Sequence, residues 1–195
     1  MIGLIIANVV VFSSQLAAPN FVEYWFALWP LHHTIDSAPF QVWQLVSYAF
    51  LHSTGNYSHL AFNMLGLWMF GGPVENAVGT PRFLAAYFAS VVTAAITQLL
   101  VPQLFGAAPE ATIGASGGVF GILLAFAMLF PKARVVPLIP PIPMPAWAFA
   151  TLYAIVELLA GVTGSMANVA HFAHLGGMLG GFLVVNHWRL ARRRS

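Results

Sequence analysis

Six long apolar stretches, separated by clusters of proline, glycine and charge, organise this chain of 195 residues. They span approximately residues 2–18, 58–78, 82–105, 114–130, 146–162 and 169–188. Each reaches or approaches the roughly 20 residues that an α-helix needs to cross a bilayer. No polar run is long enough to form a soluble domain. The pattern predicts one domain over 1–195, an all-α polytopic bundle of six transmembrane helices. The first stretch is apolar from Met1 and has no basic leader, so it reads as a retained helix, not a signal peptide. Residues 19–57 form a long loop with Phe21, Tyr24, Trp25, Trp29, Trp43 and Tyr48. That aromatic density predicts short helices lying partly in the outer leaflet. Pro137, Pro140, Pro141, Pro143 and Pro145 stiffen the connection before the fifth stretch. No internal repeat is visible, which disfavours transporters built from duplicated halves.

Composition agrees with a bilayer as solvent. Hydrophobic residues make up 59% and charged residues 6%, against roughly 25% charged in an average soluble domain. The seven basic residues, Arg82, Lys132, Arg134, Arg189, Arg192, Arg193 and Arg194, all fall on one side of a six-span arrangement. The positive-inside rule makes that side cytoplasmic, with both termini there and the 19–57 loop outside. A pI near 9.3 then describes a basic rim facing anionic lipid, and nucleic acid is not expected as a partner. With no cysteine, thiolate catalysis, disulfides and cysteine-ligated metals are excluded.

Ionisable and nucleophilic residues inside a membrane are expensive, and three clusters stand out. Gly114-Ala115-Ser116-Gly117-Gly118 opens the fourth stretch. Its glycines suit close helix packing, and they also clear space around a serine at a helix start, where unpaired N–H groups favour an oxyanion. In the sixth stretch His174, Gly177 and Gly181 sit at i, i+3 and i+7, so an imidazole projects from a face that another backbone can approach closely. A lone intramembrane histidine can be a core hydrogen-bonder or line a proton path; beside a serine helix of the same kind it reads as a general base. His59 and Asn63, at i and i+4, point the same way: either they satisfy each other, or they aim two donors at developing negative charge.

Ser116, His174 and His59 each lie within about six residues of the outer end of their stretch, hence within ~10 Å of the outer surface. His171 is the competing base. The offsets that hold glycine beneath His174 hold His174 itself and Met178 beneath His171, which would keep a partner helix away. His174 is therefore the expected base, and His171 falls to the oxyanion or water-access region. Phe120, one turn after Ser116, can stack on the His174 ring or serve as ordinary core. Ser53, Ser58, His52 and Asn56 are candidates to line a water-filled mouth.

Together these motifs resemble the rhomboid intramembrane proteases over almost the whole chain. Gly114 to Gly117 match the family's Gly-x-Ser-Gly, Ala173 to Gly181 its Ala-His-x-x-Gly-x-x-x-Gly, and His59 to Asn63 its His-x-x-x-Asn. Phe50-Leu51-His52 and Gly71-Gly72-Pro73-Val74-Glu75 also look rhomboid-like, while Gln44 stands where many members carry arginine. The resemblance implies a Ser116–His174 dyad, with His59, Asn63 and the Ser116 N–H as oxyanion hole and Gly114, Gly117, Phe120, His171, Gly177 and Gly181 in support. It implies no metal or organic cofactor, the lipid bilayer as surroundings, and transmembrane proteins as substrates. The expected setting is a prokaryotic inner (cell) membrane, with the site near its outer face. Glu75 lies ~24 Å deeper than His59 and is out of reach. Glu157 is nearer in depth and, the family using a dyad, reads as a hydrogen-bonded structural or gate residue. The alternatives are an inactive rhomboid-like chaperone or scaffold, and a transporter or channel.

A topology reporter fused after Ser195 is expected to register in the cytoplasm, and one inserted in the 19–57 loop outside. Registration of the C-terminal reporter on the outer face would overturn the six-span arrangement.

Overall fold

Apolar runs in this chain fold as helices because a helix satisfies its own backbone N–H and C=O groups. The structure, a computed structural model, describes residues 1–31, 38–101, 104, 110–138, 140–164 and 170–194. The path begins with α1 (Ile2–Ala17), α2 (Pro19–Phe26) and α3 (Gln44–Ser47), the last running into a 3₁₀ turn, Tyr48–Phe50. It continues through α4 (Tyr57–Gly66), a π-helical turn (Leu67–Gly71) and α5 (Gly72–Val78). The longer helices follow: α6 (Thr80–Leu100), α7 (Ser116–Leu129), α8 (Ala146–Thr163) and α9 (His171–Arg194). Between α7 and α8 a minimal antiparallel hairpin pairs β1 (Arg134–Val135) with β2 (Met144–Pro145).

Several boundaries differ from the sequence pattern for local reasons. The second stretch is not one regular helix. Pro73 cannot donate to the carbonyl four residues back, and its ring crowds that carbonyl, so the path widens into a π turn just before it. Gly114 lies outside α7 at φ 125°, leaving Ser116 as the first helical residue. α6 stops at Leu100, and α9 runs past Trp188 to Arg194; residues 102–103, 105 and 169 fall outside the described residues. Taken singly, α6 and α8 are long and apolar enough to cross a membrane, with α1 and α7 as shorter apolar helices.

The bundle is apolar on its outer surface as well as in its core, and a small set of polar residues is enclosed within it. Ile6 and Val10 of α1, Trp68, Leu152, Ile155 and Leu159 of α8, and Leu179 and Phe182 of α9 are exposed, whereas Asn8, Gln15, Ser90, Glu157, His171 and His174 are buried. So many large apolar side chains on the outer surface suit an apolar surrounding. In the first loop, short helices form as expected and Phe21, Tyr24, Trp25 and Trp43 are exposed. Tyr48 departs from the interfacial reading. It is buried in the core, where its hydroxyl donates to the Val91 carbonyl at 2.9 Å.

At the centre α9 is wedged between α6 and α7, and glycines on adjacent faces let it approach both. A Cβ on Gly177 would lie 1.9 Å from the Gly117 carbonyl oxygen, and one on Gly181 2.3 Å from that of Gly121. Facing α6, a Cβ on Gly176 or Gly180 would meet the Thr97 or Thr93 hydroxyl at 2.4 and 2.2 Å. At one end of the bundle Arg82, Phe130, Trp188 and Arg189 line a common groove, and the Arg189 guanidinium donates to the Met128 carbonyl. Ser116 sits at the other end of α7, ~20 Å away by helix rise.

Gly177→Ala is expected to destabilise the bundle by about 1–3 kcal/mol or more, since a backbone carbonyl cannot move aside as a side chain can. Gly3→Ala, with nothing within 4 Å, is the control and should stay within about 0.5 kcal/mol. Unfolding midpoints in detergent measure both.

Candidate active site

Three features shape the backbone before Ser116. Leu28 and Thr112 exchange N–H···O bonds of 3.0 and 2.9 Å, which fasten the first loop to the segment entering α7. The Gly114 N–H donates to the Tyr48 carbonyl at 3.0 Å. Gly114 then turns at positive φ, where a Cβ would lie 2.8 Å from His59 Nε2. Glycine is thus required there twice, by conformation and by space. The chain enters α7 at Ser116, so the helix's first N–H groups lack intrahelical acceptors beside the serine hydroxyl.

The glycine contact between α7 and α9 sets the distance across the site. His174, 7% exposed, faces half-buried Ser116 with Nε2 2.7 Å from Oγ. Phe120 stacks on the imidazole, with centroids 4.3 Å apart and planes within 6°. His59 borders the same space. Its Nδ1 accepts from the Ser53 N–H at 3.3 Å, and its ring lies beside Gly114. Asn63 is buried, and one of its amide N–H groups donates to the His59 carbonyl at 2.8 Å; a second remains on the same nitrogen. Ser116, His174, His59, Gly114, Gly117, Phe120 and Gly177 are therefore gathered at one end of the bundle, while Gly181 packs one turn deeper against Gly121.

His171 pairs with a carboxylate. Its Nδ1 is 2.6 Å from Glu157 Oε2. The same carboxylate oxygen is 2.9 Å from His174 Nδ1, an oblique approach that leaves Nδ1 without an aligned hydrogen bond. A helical rotation places Glu157, the one charged residue of α8, against both imidazoles, and no spacing motif signals it. Glu157, His171 and His174 offer donor atoms within 4.8 Å of one another. A tetrahedral zinc keeps its nitrogen and oxygen donors about 3.3 Å apart. Here oxygen and nitrogen touch directly, as in a hydrogen-bonded cluster.

His52 is not at a water-filled mouth. It is fully buried: its N–H donates to Gln15 Oε1 at 2.8 Å, its carbonyl accepts from Gln15 Nε2 at 3.0 Å, and its ring meets that of His59 at 5.1 Å. Asn56 caps α4 by accepting from the Ser58 N–H at 3.1 Å. Gln44, where an arginine was the family expectation, is buried and braces the loop. Its side-chain oxygen accepts from the Gln41 and Trp29 N–H groups at 3.2 and 3.3 Å.

A model of the rhomboid domain matches residues 39–189. The chain belongs to the rhomboid family. It is 34% identical over 140 residues to Rhomboid protein 1, mitochondrial, of Saccharomyces cerevisiae, covering 71% of this chain and 40% of that protein. Over 140 residues it is 31% identical to rhomboid protease GluP of Bacillus subtilis, covering 72% and 25%. Over 169 residues it is 29% identical to rhomboid protease GlpG of Serratia proteamaculans, covering 86% and 55%. The chain spans between a quarter and about half of these relatives' lengths. Rhomboid proteins are integral to membranes and mostly serine intramembrane proteases, so the apolar exterior described above faces lipid.

His52 gives this site region a pH-dependent stability. Burial pushes its imidazole from 6.5 down to about 4; the His59 ring acts in the same direction, and the Phe50 carbonyl opposes it. Because the folded value lies below the unfolded one, the stability is present above about pH 6.5 and is lost as pH falls towards 4, by at most about 3 kcal/mol. The unfolding midpoint should therefore drop more between pH 7.5 and 5 in the parent than in His52→Gln. Equal drops would contradict it.

Proposed function

We propose that this chain is an intramembrane serine endopeptidase that cleaves transmembrane segments of other membrane proteins. The observation that carries the reading is the 2.7 Å contact between Ser116 Oγ and His174 Nε2, made across two helices on a buried floor. Ser116 attacks the scissile carbonyl while His174 accepts its proton and then delivers it to the leaving amine; water, activated by the same imidazole, releases the acyl group. The Ser116 N–H, His59 and Asn63 stabilise the oxyanion. Phe120 holds the imidazole plane. The glycines fix the distance, and His171 supports the cluster from above the dyad. The acid beside His174 is an addition to the family's dyad.

Six membrane crossings, by α1, α4–α5, α6, α7, α8 and α9, form a single domain with the site towards the outer face and both termini in the cytoplasm. The bacterial relatives support a prokaryotic cell membrane, and the mitochondrial yeast relative supports an organelle membrane as the second setting. A helical peptide bond is shielded by its own hydrogen bonds, so substrates with small or helix-breaking residues near the cleaved bond are favoured. An inactive scaffold has no need of a base held on a serine hydroxyl.

Ser116→Ala and His174→Ala are each expected to fold, to lose fluorophosphonate labelling and to lower cleavage of a transmembrane reporter by more than about 10³-fold. His171→Ala should keep measurable activity. His59→Ala and Asn63→Ala should lower kcat by up to about 10²–10³ with little change in KM. Near-parent cleavage by purified Ser116→Ala would end the serine-protease reading.

A further inference from the structure

We infer that Glu157 is the third member of the charge system, positioning His174 for proton transfer, so that this chain works with a Ser116–His174–Glu157 triad. The inference rests on the protease reading above and concerns how the base is held. A carboxylate embedded among apolar residues needs strong partners to remain there. Glu157 is 8% exposed, and its Oε2 meets two ring nitrogens, His171 Nδ1 at 2.6 Å and His174 Nδ1 at 2.9 Å. Both are the δ nitrogens, and that decides the chemistry. A neutral imidazole carries one N–H. A carboxylate at Nδ1 keeps the proton there and leaves the Nε2 lone pair facing Ser116 Oγ, the tautomer a base requires.

The geometry divides the work of holding the ring. Phe120, stacked at 4.3 Å, fixes the plane of the His174 imidazole but not its rotation within that plane. A partner at Nδ1 fixes that rotation. In the resting site the carboxylate hydrogen-bonds to His171 and only approaches His174 obliquely. When the Ser116 proton moves to Nε2, the ring becomes an imidazolium and its Nδ1–H turns into a charge-assisted donor. The short remaining swing of Oε2 aligns that bond. Glu157 stays ionised throughout, the Nδ1 proton stays on His174, and the transferred proton leaves on the amine. His171 prevents the carboxylate from turning away between turnovers. α8 thereby acquires a part in catalysis through one residue, although it contributes none of the family's three motifs.

The test uses the full chain in detergent with a transmembrane reporter, a fluorophosphonate and thermal unfolding. Glu157→Gln keeps the shape but can present its amide to Nδ1 and favour the wrong tautomer. It is expected to lower kcat and the labelling rate by about 10²–10⁴, with KM within about threefold and the unfolding midpoint little changed. Glu157→Asp should recover part of the loss. In Glu157→Ala, added sodium formate should raise the labelling rate, which a merely structural role would not do. A folded Glu157→Gln that labels and cleaves within threefold of the parent, while Ser116→Ala is inert, would overturn the triad and leave the protease reading intact. So would a folded Glu157→Ala indifferent to formate. Cleavage surviving in Ser116→Ala would instead remove the protease reading itself.

Discussion

The contact between the α7 and α9 backbones governs this molecule. Gly117 and Gly121 on one helix meet Gly177 and Gly181 on the other so closely that a single methyl group would enter a carbonyl oxygen. Between helices surrounded by lipid there is little hydrophobic driving force, and dispersion contacts over a close approach take its place. That approach is also the ruler of the site. Ser116 precedes Gly117 by one residue, and His174 precedes Gly177 by one turn. The separation of the two backbones therefore decides whether Oγ and Nε2 are in hydrogen-bond contact. A wider helix pair could keep the fold and lose the bond.

Two sets of buried hydrogen bonds tie the surrounding segments together. Gln15 and His52 exchange two hydrogen bonds between α1 and the turn before α4. The Tyr48 hydroxyl reaches the Val91 carbonyl on α6, while the Tyr48 carbonyl receives the Gly114 N–H. Through Tyr48 the first loop, α6 and the approach to Ser116 are fixed relative to one another. In a low-dielectric interior each such bond is strong, and each partner left alone is costly, so the set specifies one arrangement of helices.

Much of this was legible in the sequence, because the properties concerned are local. Apolar runs mark helices, and offsets of three, four and seven residues mark faces; those rules gave Ser116, His174, His59, Asn63 and the glycine stripes their places. Features that depend on the rotation of one helix against another left no such trace. Tyr48 looks like one more belt aromatic until the fold buries it. His52 looks like a polar lining residue until Gln15, 37 positions away, takes up its backbone groups. Glu157 has no motif around it. Its one signal was being the sole charge in a helix of otherwise apolar and weakly polar residues, and its partner depended on which way α8 faces.

That orientation of α8 has an energetic cause. Val156 and Leu158, on either side of Glu157, are exposed, as are Leu152, Ile155 and Leu159, while Ala146, Phe149, Ala150, Glu157 and Ala160 are buried. The buried set is small except for Phe149 and Glu157, so apolar packing holds the helix at its Phe149 end and the carboxylate holds it near the site. Rotating α8 away would expose Glu157 to hydrocarbon and strip both histidines of a partner. Separating a buried charge from its partner typically costs about 3–5 kcal/mol, more than one small apolar contact can offset. The residue that sets the imidazole is thus also the one that fixes the rotation of its own helix, and displacing α8 outward from His174 would weaken both at once.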